Sequence, residues 1–150
     1  MDLSYLNSLT GEKIIPHVIE PAVGINRLFL MVLTDAYEKN EKRTVLHLKP
    51  LLAPYKVAVF PLVSNKPELV AKAQSVFDGL KSLFTVAWDD RGNIGKRYLS
   101  QDEAGTPWCV TIDYDTLEDD TVTIRDRDTM EQIRMKITQL PAYFQKKLLE

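Results

Sequence analysis

The spacing of apolar residues changes several times along this chain, and each change marks an element. KIIPHVIE, residues 13–20, is rich in branched apolar residues and predicts a short strand, with Pro16 confining it to an edge or a bend. From Gly24 onward the apolar positions are Ile25, Leu28, Phe29, Val32, Leu33 and Ala36, the spacing of a helix. The polar run YEKNEKR, residues 37–43, reads as the end of that helix and a linker. TVLHLKPLLAPYK follows, broken by Pro50 and Pro54. A domain division is expected here, giving segments 1–48 and 49–150.

The second segment alternates between the two periods. VAVFPLV, residues 57–63, is an unbroken apolar run suited to a strand covered on both faces. Ser64 or Asn65 can cap the next helix, with Pro67 in its first turn and Leu69, Ala73, Val76, Phe77 and Leu80 on one face. Residues 84–88 alternate as a strand, and DDRGN makes a turn. Residues 94–104 read as a helix closed by Gly105. Two further strands, 108–113 and 121–125, flank an acidic hairpin loop. A last helix is expected from Asp128, where Asp128 and Glu131 have capping-box spacing. Met130, Ile133, Ile137 and Leu140 would form its inner face, and Pro141 would kink or break it.

The order β-α-β-α-β-β-α predicts an α/β domain: a mixed parallel and antiparallel sheet flanked by helices, with right-handed crossovers between the parallel strands. Residues 13–38 are one strand and one helix, which cannot bury their own apolar faces. They should associate with another surface, as in a dimer through residues 13–38, or be poorly ordered.

Composition narrows the chemistry. The 150 residues are 45% hydrophobic and 27% charged, with a net charge of −2. A nucleic-acid partner must therefore meet a local basic patch. One cysteine, Cys109, lies in the apolar run WCVTI and reads as a buried thiol; no disulfide or cysteine zinc site can form within the chain. No signal peptide or membrane-length apolar run is visible, so a cytoplasmic protein without a membrane partner is expected.

Several constellations carry candidate chemistry. RGNIGKR places Gly92 and Gly95 around a turn, then Lys96 and Arg97 at a helix start. Such a start attracts phosphate, although the P-loop spacing is missing. TIRDRDT points Arg125 and Arg127 to one side of a strand end. Arginines there can read base edges, or pair with Asp126 and Asp128 in a salt-bridge lattice. The acidic run from Asp113 to Asp120 follows no calcium-loop pattern, and His17 and His47 have no ligand partners at suitable spacing, so no metal site is expected. No Ser-His-Asp or Cys-His arrangement can be assembled.

Longer segments carry a resemblance. GEKIIPHVIEPAVGINR resembles the third signature motif of class II aminoacyl-tRNA synthetases with its lead-in strand. LAPYKVAVFPLV, DDRGNIGKRYLSQDEAGTPWCVTIDYDT and TVTIRDRDTMEQIR resemble the anticodon-binding domain of the dimeric type of glycyl-tRNA synthetase. The resemblance covers nearly the whole chain. It implies a class II synthetase anticodon-binding fold preceded by a strand-helix remnant of the catalytic domain. Arg27, with Gly24, would belong to ATP binding, and Glu20, with the position of Ala22, to glycine binding. The family commonly has serine where Ala22 stands and aspartate where Asn26 stands. Lys96, Arg97, Tyr98, Arg125 and Arg127 become candidates for tRNA contact.

The implied partner is glycine tRNA, read at its anticodon, with no DNA. The implied reaction of the complete, homodimeric enzyme is ATP-dependent glycine ligation with magnesium. The first two class II motifs are absent, so no catalytic residue set or cofactor is expected in this chain alone, and neither glycine activation nor tRNA charging. The competing expectation is a free-standing paralogue serving as a regulatory or protein-interaction module.

Overall fold

The computed structural model describes residues 2–150, which form two compact units divided between Leu30 and Met31. The first holds a two-residue antiparallel pair, β1 (Tyr5–Leu6) with β2 (Lys13–Ile14), and the start of α1 (Ile25–Ala36). The strand expected over residues 13–20 stops at Ile14, just before Pro16, a residue that cannot donate to a ladder. Residues 15–24 form no regular element. Ile25, Leu28, Phe29 and Leu30 begin the helix as expected, and all are exposed.

In the second unit α1 finishes with Ala36 buried against Leu48 and Ala53. The expected linker is instead a hairpin of β3 (Tyr37–Lys39) and β4 (Thr44–Leu46). The Asn40 carboxamide oxygen closes its turn, accepting from the backbone N–H of Lys42 at 3.0 Å and of Arg43 at 2.9 Å. The sequence thus places a division at 48/49, whereas compactness divides the chain at 30/31, because Val32, Leu33 and Ala36 of α1 pack with Leu46 of the hairpin and with Leu48 and Ala53.

The main sheet is built from β5 (Val57–Pro61), β6 (Val86–Trp88), β7 (Trp108–Ile112), β8 (Thr121–Asp126) and β9 (Gln132–Lys136), in the order β6-β5-β7-β8-β9. The first three run parallel, and β8 and β9 add antiparallel pairs. Helices α2 (Pro67–Lys81) and α5 (Leu140–Leu149) cover one face with Leu69, Ala73, Val76, Leu80, Leu140 and Phe144. Helix α3 (Ile94–Ala104) covers the other, where Ile94 and Tyr98 meet Ala58, Phe60, Ala87 and Cys109. The mixed α/β sheet is therefore present, with one strand more than expected.

That strand is β9, and it replaces the expected helix from Asp128. The Asp126 carboxylate accepts from the N–H of Asp128 at 2.9 Å and of Thr129 at 3.0 Å, and Met130 closes the turn at φ 60°. Asp128 caps nothing. Strand β9 lies at the sheet edge with most of its residues exposed, so its apolar residues mimic a helical repeat without forming one. Pro141 sits in the first turn of α5, where a missing N–H costs nothing, so it starts that helix rather than breaking it.

Two smaller expectations also change. Lys66, not Ser64 or Asn65, precedes α2, because Pro67 forces an extended residue before it. The acidic loop contains a short helix, α4 (Tyr114–Asp119), whose N-cap Asp113 exchanges hydrogen bonds with Thr116. Arg134 of β9 binds Asp113 at 2.7 Å and lies within 3.8 Å of Asp115 and 3.7 Å of Asp119. Burial pushes the Asp113 pKa upward, but the Arg134 and Thr116 hydrogen bonds outweigh it and hold it at about 2.

Gly105 ends α3 in the left-handed region, at φ 77°. A Cβ there would lie 2.9 Å from Leu48 Cδ1 and 3.1 Å from the Leu46 carbonyl oxygen. Gly105→Ala is therefore expected to lose about 3 kcal/mol in urea unfolding, combining backbone strain with overpacking against β4. Gly92→Ala has the same strain but open space around it, and should lose only about 1 kcal/mol.

Candidate functional site

The candidate residues of the second unit gather around α3. Asn93 caps this helix, its side-chain oxygen accepting from the Lys96 N–H at 2.9 Å. One turn in, Arg97 is 2% exposed. Its guanidinium donates to the carbonyls of Pro61 at 2.5 Å, Gly92 at 2.9 Å, Arg91 at 3.0 Å and Asp90 at 3.1 Å. Arg97 thus gathers the turn after β6 against the end of β5. What this leaves outside is Arg91 and Lys96, both exposed on a turn held from beneath. Arg91 is held to Asp89 at 3.2 Å.

Tyr98 is half-buried on the inner side of α3. Its hydroxyl shares a 2.6 Å hydrogen bond with Thr111, its ring meets Phe60 edge-on, and the Arg125 guanidinium lies 5.0 Å from its centre. Burial raises its pKa above the ordinary phenol value.

Arg125 points from β8 toward the last turn of α3 and binds Asp102 with two hydrogen bonds, at 2.8 and 3.0 Å. The same carboxylate, fully buried, accepts from Arg43 of the hairpin at 2.9 Å. Arg43 also donates to the Arg127 carbonyl at 2.8 Å. Arg127 is 3% exposed, and binds the Gly105 carbonyl at 2.8 Å and Asp128 through two bonds of 2.8 Å. His47 continues the chain, with Nδ1 2.6 Å from Asp128 and Nε2 3.1 Å from Glu38. Desolvation pushes the Asp128 pKa up, but bonds from Arg127 and His47 outweigh it and hold it below the usual carboxylate range.

The five residues named for tRNA contact therefore divide. The polar groups of Arg97, Arg125 and Arg127 are engaged inside the domain, Tyr98 is partly enclosed, and Lys96 alone projects fully. Arg125 and Arg127 do leave β8 toward one side, but their partners are Asp102 and Gly105 as well as Asp128. Sequence reasoning missed Arg43, Asp102 and His47, because Arg43 sat in an assumed linker and no spacing joins residues 43, 102 and 125. Arg91 was missed as well, although RGNIGK was the signal for it.

In the first unit Glu20, Ala22, Gly24 and Arg27 are all exposed. The Arg27 side chain passes beside Gly24, 3.8 Å from where a Cβ would stand. Among the described residues no hydrogen bond or ion pair holds the side chains of Glu20 and Arg27.

Comparison with known proteins adds a second line of observation. The family described as "Anticodon binding domain" matches residues 56–147. A glycine–tRNA ligase of Clostridium kluyveri is 49% identical over 152 aligned residues, covering 98% of this chain and 32% of that protein. Corresponding proteins of Corynebacterium efficiens and Caldanaerobacter subterraneus are each 50% identical, over 99% and 98% of this chain and 34% and 32% of their own length. The chain spans about a third of the length of these relatives.

The geometry gives Asp102 a measurable weight. Removing it leaves Arg43 and Arg125 without their counter-charge in the interior. Asp102→Ala is expected to lose about 3–5 kcal/mol of unfolding free energy, measured by urea denaturation. Arg91→Ala, on the exposed turn, should stay within about 0.5 kcal/mol of the parent.

Proposed function

The chain belongs to the anticodon-binding-domain family and is homologous over nearly all its length to part of the glycine–tRNA ligases, and we propose that it recognises the anticodon of glycine tRNA. The observation that carries this reading is the α3 turn. Its backbone is fixed by Arg97, and it presents Arg91 and Lys96 outward within the matched segment. Fixed cations of this kind meet phosphate oxygens and set register, while unpaired bases can be read beside them. Arg125, Arg127 and Tyr98 support this surface from within, and Lys96 and Arg91 touch the RNA.

The remaining roles belong to a complete enzyme. There Arg27, running beside Gly24, would meet ATP with its magnesium, as a permanently charged planar group suited to phosphate and adenine. Glu20, near Ala22, would meet the glycine ammonium group through charge-assisted hydrogen bonds. The reaction is glycine ligation through an adenylate, and we assign no step of it to these 150 residues alone. Ile25, Leu28 and Phe29 offer an exposed apolar face through which residues 13–38 would associate, in a homodimer or against further catalytic-domain structure. The setting is cytoplasmic; among the described residues no helix is long and apolar enough to cross a membrane.

Titration of the chain with glycine tRNA and with a non-cognate tRNA, at several salt concentrations, tests the reading. Preference for glycine tRNA is expected, with affinity falling as salt rises. Lys96→Ala and Arg91→Ala should each reduce the slope of log affinity against log salt by about 1. Equal binding of both tRNAs would contradict anticodon recognition and favour an interaction module instead.

A further inference from the structure

The sheet contains a reversal of strand order. From β5 the chain passes through α2 to β6 on one flank, and from β6 it returns through α3 to β7 on the other. In open α/β sheets, ligands bind in the crevice beyond the carboxyl ends of the strands at such a reversal. Here that crevice lies between the segment after β5 and helix α4, which follows β7. The Leu62 N–H donates to the Ile112 carbonyl at 2.7 Å, holding the two strand exits side by side.

A cavity of about 430 Å³ opens there, lined by Asn65, Lys66, Glu68, Leu69, Tyr114 and Leu117. Its volume falls within the range of roughly 300–1,000 Å³ typical of small-ligand sites. Leu69 is buried and makes an apolar floor, while Tyr114 is 50% exposed. Among the described residues, the side chains of Asn65, Lys66, Glu68 and Tyr114 have no hydrogen-bond or ion-pair partner. Of the acidic residues in and after α4, only Glu118 has no hydrogen-bond or ion-pair partner among the described residues. Asp115 and Asp119 approach Arg134, and the neighbouring Asp120 pairs with Lys72.

We propose that this crevice receives one unpaired nucleotide of the bound RNA, its base stacked on Tyr114, its edge met by Asn65 and Glu68, and its phosphate by Lys66. The proposal rests on the anticodon-binding reading and places a base pocket on residues other than those of the α3 turn. The chemistry matches in kind. Unpaired bases are recognised by stacking on aromatic rings and by hydrogen bonds to their exposed edges. A carboxamide offers a donor and an acceptor on one side chain, a carboxylate accepts from exocyclic amino groups, and an ammonium pairs with phosphate.

The test is a fluorescence-anisotropy titration of the chain with a labelled anticodon stem-loop of glycine tRNA. Tyr114→Ala is expected to weaken binding about tenfold, and Tyr114→Phe, which keeps the stacking ring, should bind as the parent does. Lys66→Glu, on the exposed lip and outside α4, should also weaken binding about tenfold, so the result does not depend on α4 tolerating the alanine. Circular dichroism confirms that each variant is folded. Parent-like binding by both Tyr114→Ala and Lys66→Glu would overturn the base pocket while leaving anticodon recognition standing. Failure of the unsubstituted chain to bind the stem-loop would overturn both.

Discussion

The Asp102 carboxylate is fully buried, and an ion taken out of water costs several kcal/mol unless other groups replace its solvation. Here the replacement comes from two directions. Arg125 supplies a two-point bond from the sheet, and Arg43 supplies a third bond from the hairpin. Neither arginine can leave without exposing the other partners to that cost, so three elements distant in sequence become mutually dependent. Arg127 extends the arrangement by binding the Gly105 carbonyl at the end of α3, and His47 ties it back to the hairpin through Asp128 and Glu38. A hairpin outside the family-matched segment is thereby built into the domain that segment forms.

This arrangement changes what the basic residues around α3 can do. An arginine whose donors are already committed to carbonyls and a buried carboxylate has little left to offer a ligand. What Arg97, Arg125 and Arg127 supply is shape: the turn after β6, the position of α3 and the end of β8. The cations left at the surface are those the interior does not need, chiefly Lys96 and, paired there with Asp89, Arg91. Such a division suits recognition, because a rigid support lets a few exposed groups bind without first being ordered.

Much of the fold was legible in the sequence because its signals were local. The apolar run 57–63, the face of α2, the helix 94–104 with its closing glycine and the turn residues around Gly92 each follow from a few neighbouring positions. The failures share a cause. Strand β9 and the turn before it depend on pairing with β8 and on Met130 adopting a positive φ, which no apolar repeat encodes. The hairpin at 37–46 was hidden because its stabilising partners, Asp102 and Asp128, lie far along the chain. For the candidate site, residue type picked out cations that the fold gathers around α3, but only packing separates an arginine that builds a surface from a lysine that projects from it.

The dependence of the hairpin on Asp102 is open to direct measurement by native-state hydrogen exchange. The reporting amides are Asn40, which donates to the Arg43 carbonyl, and His47, which donates to the Ala36 carbonyl. If the clamp makes hairpin and sheet one cooperative unit, these amides should exchange only through the global unfolding that opens β5 and β7, with opening free energies agreeing within about 1 kcal/mol. Exchange of Asn40 and His47 through a separate opening, several kcal/mol below that of the sheet and insensitive to denaturant, would contradict it.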